Sequence, residues 1–175
     1  MTKNELGKKV YEVSHLTGEF LLRSGKISNE YFDKYQFESR PEILTGLAEQ
    51  MSDLLPEDFD VLAGLEVGGI PLATALSIFT GKPVVFVRKK AKEYGTCLLA
   101  EGADIKGKKV VIIEDVVTSG GQILLSTEDL RKAGADIKIA LCAIDRESGG
   151  REALNDIGLE LRPVFLMSEL KELIK

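Results

Sequence analysis

The chemically densest stretch of this chain is Val110-Val111-Ile112-Ile113-Glu114-Asp115-Val116-Val117-Thr118-Ser119-Gly120-Gly121-Gln122. Its apolar start, Lys109–Ile113, predicts a buried strand that delivers two adjacent carboxylates, Glu114 and Asp115, to the C-terminal edge of a sheet. A loop with two hydroxyls and two glycines follows, and then a helix from about Gln122 to Ala133. The N–H groups at a helix start point outward with the positive end of the helix dipole, which suits a phosphate. Thr118 and Ser119 add hydroxyl donors, while Gly120 and Gly121 let the backbone approach closely. Two carboxylates beside such a cradle repel a bare phosphate. They fit a ligand that also presents hydroxyls, so a sugar phosphate is expected, with phosphate on Val116–Gly121 and a diol on Glu114 and Asp115. An acid pair that merely caps a helix before an ordinary turn accounts for a fragment of this string, not the whole.

Other phosphate motifs fail. No Gly-Lys-Ser/Thr tripeptide exists, which excludes a P-loop, and Gly64-Leu65-Glu66-Val67-Gly68-Gly69 does not match the dinucleotide-binding glycine spacing. Two cationic segments stand out beside the acid pair. Arg88–Gly107 is a long connection with a lysine cluster and three glycines, a length that is usually functional or mobile inside a compact domain. Ala143-Ile144-Asp145-Arg146-Glu147-Ser148-Gly149-Gly150 places Arg146 at a strand's C-terminal end, on the same edge as the acids.

The elements that must position these residues alternate from about residue 60. Strands are expected at Val61–Leu65, Pro83–Val87, Lys109–Ile113, Ile137–Ile144 and Glu160–Phe165, with helices at Gly69–Phe79, Gln122–Ala133, Gly150–Asn155 and from Ser168. Continuous apolar strands between helices imply an α/β fold, a parallel twisted sheet flanked by helices, because a half-exposed sheet would alternate strictly. Right-handed crossovers then bring every strand's C-terminal end to one ligand-binding edge. Before this repeat, helices are expected at Glu5–Leu16 and at Pro41–Leu55, where Pro41 suits a first turn. Between them lies Glu19–Lys34, rich in aromatics and glycine.

With 175 residues the chain suits one domain with a full core. The net charge of −5 is spread out, with no basic tract of the kind that neutralises a nucleic-acid backbone, so no nucleic-acid partner is expected. No apolar run nears the roughly 20 residues that span a bilayer, so no membrane partner is expected. Met1–Val10 has lysines but no apolar stretch after them, and Cys97 and Cys142 lack metal-site spacing. Free thiols in a cytoplasmic protein are the expectation.

The string around Glu114-Asp115 resembles the donor-binding signature of type I phosphoribosyltransferases, in which acids hold the ribose hydroxyls of 5-phosphoribosyl 1-diphosphate and the loop wraps its 5-phosphate. Three further segments resemble orotate phosphoribosyltransferases in particular, so the similarity runs from about Glu5 to the end. It implies one domain over 1–175, with a small N-terminal hood largely from 1–40 and a core over 41–175. It implies orotate and 5-phosphoribosyl 1-diphosphate as substrates, orotidine 5'-phosphate and pyrophosphate as products, and Mg²⁺ held mainly through the donor, with no protein metal site. In Gly18–Asp33, Arg23, Tyr31 and Phe32 would form the hood over the base, an aromatic face against a planar pyrimidine. In Arg88–Gly95, the resemblance assigns Arg88, Lys89 and Lys92 to the pyrophosphate, with Lys92 the most important loop cation. It also implies a homodimer in which loop 88–102 completes the neighbouring site. Arg146 would grip the orotate carboxylate in two-pronged fashion, with Thr118 also at the base. The donor set is then Arg88, Lys89, Lys92, Glu114, Asp115, Val116, Val117, Thr118, Ser119, Gly120 and Gly121, with Lys92, Glu114 and Asp115 as its catalytic members.

The chain departs from the pattern at two places. Gly68 stands where many bacterial members carry Lys, and Tyr94-Gly95-Thr96-Cys97-Leu98 stands where they carry His-Gly-Glu-Gly-Gly. The sole histidine, His15, falls on a predicted helix and is expected to be structural. Rival expectations are a purine phosphoribosyltransferase, a donor-sensing transcriptional regulator on the same fold, and a response-regulator-like switch domain. The regulator usually needs an added helix-turn-helix or a basic face, and the sequence pI near 5.1 is unhelpful to it.

Overall fold

The computed structural model describes residues 1–21, 25–90 and 98–175. Its centre is a six-stranded sheet in the order β5-β4-β3-β6-β7-β8, built from β3 (Val61–Leu65), β4 (Val84–Val87), β5 (Ala100–Gly102), β6 (Lys109–Val117), β7 (Asp136–Asp145) and β8 (Glu160–Leu166). All neighbours pair in parallel except β5, which runs antiparallel on the edge against β4. The α/β expectation is met. The sequence did not announce β5, which is three residues long and carries no continuous apolar run.

Helices cover both faces: α1 (Lys3–Ser14), α2 (Tyr35–Glu38), α3 (Pro41–Ser52), α4 (Gly69–Thr80), α5 (Gly121–Lys132), α6 (Gly150–Asn155) and α7 (Met167–Glu172). One core joins Leu6, Val10, Phe37, Leu47, Leu72, Ile113 and Phe165; a second, across the sheet, joins Val85, Ile112, Ile123, Leu130 and Ala140. Each fully buried Leu, Ile or Phe side chain contributes about 1.5–3 kcal/mol, so these two layers hold the strand ends that carry the site. The first helix is set by a capping box. Thr2 Oγ1 accepts from Glu5 N at 3.3 Å and Glu5 Oε2 accepts from Thr2 N at 2.8 Å.

The stretch rich in aromatics and glycine forms a two-stranded antiparallel sheet of β1 (His15–Leu21) and β2 (Ile27–Phe32), with an irregularity between Thr17 and Phe20. Its apolar side chains Leu21, Ile27 and Tyr31 are exposed, so the hairpin lacks the in–out alternation that marks a strand in sequence.

The order of strands decides where a ligand binds. From β3 the chain steps outward to β4, and then β6, β7 and β8 are laid on the other side of β3. The reversal between β3 and β6 opens a crevice at their C-terminal ends, the general ligand position in open α/β sheets.

Candidate active site

The crevice is walled by the turn after β3 on one side and the end of β6 on the other. Strand β6 is longer than its apolar start indicated: it continues through Glu114 and Asp115 to Val117. Side chains alternate along a strand, so the two acids leave β6 toward opposite faces. Glu114 is 8 % exposed and Asp115 0 %. The acids therefore form the floor of the crevice rather than projecting freely from its edge. Asp115 Oδ1 accepts from Val116 N at 2.5 Å, and Glu114 Oε1 accepts from Asp115 N at 3.0 Å, so backbone donors orient both groups.

Close backbone approach makes this floor possible. A Cβ on Gly68 would lie 1.4 Å from Asp115 Oδ2, and one on Gly69 would lie 2.3 Å from the Ile113 carbonyl oxygen. The turn Glu66–Gly68 and the start of α4 thus sit directly against β6. The Glu66–Val67 peptide is cis. Glu66 Oε1 accepts from Lys89 N at 2.5 Å, which ties the segment after β4 to the same turn.

The loop after the acids is open. Thr118 and Ser119 are exposed, Gly120 takes a left-handed φ of 73°, and α5 begins without a side-chain cap and without an acidic residue in its first turn. Its leading N–H groups are left for an external acceptor, as an anion site requires. A cavity of about 330 Å³ lies over this loop, lined by Lys34, Glu66, Val67, Lys89 and the whole run Glu114–Ile123. Every predicted donor residue of the β6 loop therefore borders one cavity, together with Lys89. Arg88 does not line it; its Nη1 lies 3.9 Å from Glu101 Oε1 on β5. Arg23, Lys92, Tyr94 and Cys97 fall outside the described residues.

The electrostatics of the floor were not foreseen. Lys34 Nζ lies 2.5 Å from Asp115 Oδ2, and Glu38 Oε1 is buried without a hydrogen-bond partner. Burial pushes the Glu38 carboxyl up to about 9, assisted by Asp115. Burial likewise pushes Glu114 up to about 8, and Asp115 beside it acts in the same direction. Burial works against the Lys34 ammonium, yet the carboxylates of Asp115 and Glu114 outweigh it and hold its pKa above the ordinary value. Three acids and one ammonium share this pocket. Burial and the neighbouring Asp115 thus bias both Glu38 and Glu114 toward their protonated forms.

A second cavity, of about 250 Å³, is lined by Tyr31, Phe32 and Arg146 together with His15, Glu30 and Lys171. Three of the predicted base residues, from β2 and from the end of β7, therefore meet at one wall. Tyr31 is 44 % exposed and free to offer a ring face, whereas Phe32 packs partly on the core and lies 6.1 Å from the Tyr11 ring. Thr118 borders the first cavity instead. His15, expected to be structural, stacks on Tyr11 at 4.9 Å and sets its Nε2 3.4 Å from Glu30 Oε2 on this cavity's rim. Among the described residues no group of three or more His, Cys, Asp or Glu could hold a metal ion, and no helix is long and apolar enough to cross a membrane. Cys142 is a buried free thiol.

Lys34 and Glu38 are site residues that the sequence did not reveal. Lys34 does follow the aromatic pair Tyr31-Phe32 directly, a cation beside a ring-rich edge, but its carboxylate partner is remote in sequence.

Comparison with known proteins places the whole chain. A family model described as the phosphoribosyl transferase domain matches residues 35–159. A protein of Nocardioides sp. named orotate phosphoribosyltransferase is 52% identical over 165 residues, covering 94% of this chain and 92% of that protein. The Mycobacterium tuberculosis orotate phosphoribosyltransferase, solved in complex with inorganic phosphate, superposes with a TM-score of 0.86 at 26% identity, covering 97% of this chain and 98% of that one. The same mycobacterial enzyme in complex with 5-phospho-alpha-D-ribosyl 1-diphosphate gives a TM-score of 0.83 at 26% identity and the same coverage.

Proposed function

Since the chain belongs to the phosphoribosyl transferase domain family and, within it, to the orotate phosphoribosyltransferases, we propose that its two neighbouring cavities divide the reaction between donor and base. The reaction of that family forms a bond from a ring nitrogen of orotate to the anomeric carbon of the donor ribose, while the carbon–oxygen bond to pyrophosphate breaks, the leaving group takes the electron pair, and the proton of that nitrogen is released to the departing pyrophosphate or solvent. Orotidine 5'-phosphate, a step toward UMP, is the product. The observation that carries the assignment of roles is the placement of Arg146 and the β6 loop on one sheet edge, with Arg146 N donating to the Val117 carbonyl at 2.8 Å.

In this reading the 5-phosphate rests on Val116–Gly121 and the first N–H groups of α5, and the ribose hydroxyls meet Glu114 and Asp115 on the floor. The pyrophosphate lies along the Glu66–Gly69 turn toward Lys89, with Arg88 and Lys92 on the segment that follows β4. Orotate lies between Tyr31, Phe32 and Arg146, with Arg23 and Thr118 at its margins. Positive charge developing on the ribose is stabilised by the Asp115 carboxylate beneath it, and negative charge on the leaving group by the cations above. No side chain is assigned as a general base.

In this reading Mg²⁺ is a companion of the donor, held mainly through its pyrophosphate oxygens, which suit this hard cation. Bound there, it would neutralise the pyrophosphate as it departs. The reading also includes a homodimer in which loop 88–102 completes the neighbouring site, and a cytoplasmic setting, which suits the free thiol of Cys142.

The test mixes pure protein with Mg²⁺ and the donor against orotate, uracil, hypoxanthine, guanine and adenine. Nucleotide formation with orotate alone is expected. Turnover of hypoxanthine or guanine in preference to orotate would reject the assignment of the base cavity.

A further inference from the structure

We propose that Lys34 is a positioning residue of the donor site, holding the Asp115 side chain in the space that the missing side chain of Gly68 leaves open. The inference rests on the reading of Asp115 as a ribose contact and deepens it, because Lys34 has no role in the scheme above.

Geometry carries the case. Asp115 is fully buried, and its Oδ1 is committed to Val116 N. Its Oδ2 is buried and lies 2.5 Å from Lys34 Nζ, a charge-assisted contact that raises the Lys34 pKa above its ordinary value. That same atom occupies the position a Cβ on Gly68 would take, at 1.4 Å, and the Glu38 Oε1 atom lies 2.7 Å from the same point. The carboxylate therefore reaches across the turn after β3 only because residue 68 has no side chain. Lys34 comes from the other direction. It follows β2, is 35 % exposed at its side chain, and borders the donor cavity beside Tyr35 and Glu66.

A buried carboxylate without a cation is strongly disfavoured, and with Glu38 and Glu114 crowded beside it the alternative is a displaced Asp115. Lys34 removes that alternative. It fixes the acceptor that a ribose hydroxyl must find, and it does so from the segment that also carries the base-facing aromatics. Donor binding and the placement of the hood are thereby linked through one ion pair.

The decisive experiment compares Lys34→Ala, Lys34→Arg and Gly68→Ala with the parent chain in three measurements: donor KM and kcat, calorimetric titration with the Mg²⁺ donor, and calorimetric titration with inorganic phosphate. Loss of a charge-assisted contact is expected to raise donor KM and Kd about tenfold or more in Lys34→Ala. Phosphate affinity should stay within about twofold, because the β6 loop is built from backbone groups. Lys34→Arg should recover most of the loss, and Gly68→Ala should reproduce the donor defect with Lys34 intact. The proposal is overturned if Lys34→Ala binds donor like the parent, if donor and phosphate affinity fall together, or if the arginine variant is no better than the alanine one. Failure of the parent to convert orotate would strike the base assignment instead, since donor titration reads Lys34 without any base present.

Discussion

Arg146 donates its backbone N–H to the Val117 carbonyl at 2.8 Å, locking the end of β7 to the end of β6. The guanidinium that faces the base cavity and the loop that faces the donor cavity are thus rigidly related through adjacent parallel strands. A one-residue slip between them would move the arginine to the other side of the sheet.

Removing that guanidinium should separate orotate from its uncharged analogue. Hydrogen bonds to a charged group contribute about 1.5–3 kcal/mol, so Arg146→Ala is expected to raise orotate KM roughly 10- to 100-fold. Uracil, lacking the carboxylate, should be turned over as poorly by the variant as by the parent. Arg146→Lys should recover part of the loss, because an ammonium cannot make the two-pronged contact. Equal losses for both bases would refute the carboxylate role.

Lys92 is assigned to the closing of a neighbouring site, and a mixing experiment tests residue and dimer together. Lys92→Ala should lower kcat by about 100-fold with little change in donor Kd, as expected for a contact made mainly to the leaving group in the transition state. Asp115→Asn should be impaired on its own. If the sites are shared in a two-fold dimer, random mixing puts half the molecules into mixed pairs with one intact site each. Activity should then return to about a quarter of the parent value. Mixtures no more active than their components would show that each chain closes its own site.

Much of this architecture was legible because burial writes itself into sequence. The runs Val61–Leu65 and Val110–Ile113 are apolar at every position since both faces of the sheet are covered, and the acids after the second run had only one edge to occupy. Elements that bury little were silent: the β1–β2 hairpin exposes Leu21 and Ile27, and β5 is a three-residue edge strand. The floor of the donor cavity was only half readable. Glu114 and Asp115 declared themselves by adjacency, whereas the partnership of Asp115 with Lys34 and Glu38 is made by α2 folding over the β3 turn, a long-range contact with no local spacing to betray it.

Gly69 offers a test of that close packing which leaves every functional side chain in place. A methyl group there meets the Ile113 carbonyl oxygen at 2.3 Å, backbone against added atom, so α4 or β6 must shift. Overpacking of this kind typically costs about 1–3 kcal/mol. Gly69→Ala should therefore lower the urea midpoint by that equivalent and also raise donor KM, because the displaced turn lines the donor cavity. A variant with parent stability and parent KM would show that the contact yields freely.

The crowded acids predict an unusual pH dependence of stability, with Glu38 as its clearest source. Its carboxyl is held at about 9 in the folded protein against an ordinary value of 4.5, so the folded state binds its proton more tightly than the unfolded chain. Below pH 4.5 both states are protonated and the contribution is complete. As pH rises toward 9 the unfolded chain releases the proton first, and stability falls across that whole interval. Glu114, held at about 8, acts in the same sense over a slightly narrower range. Glu38→Gln keeps the shape of the protonated acid and cannot ionise. After discounting for partial burial and relaxation, it should be more stable than the parent by about 1–3 kcal/mol at pH 9, with the gap closing toward pH 5. Urea unfolding of both proteins at pH 5, 7 and 9 reads this difference directly. Parallel curves would mean that Glu38 is already ionised at neutral pH and that Lys34 neutralises two carboxylates rather than one.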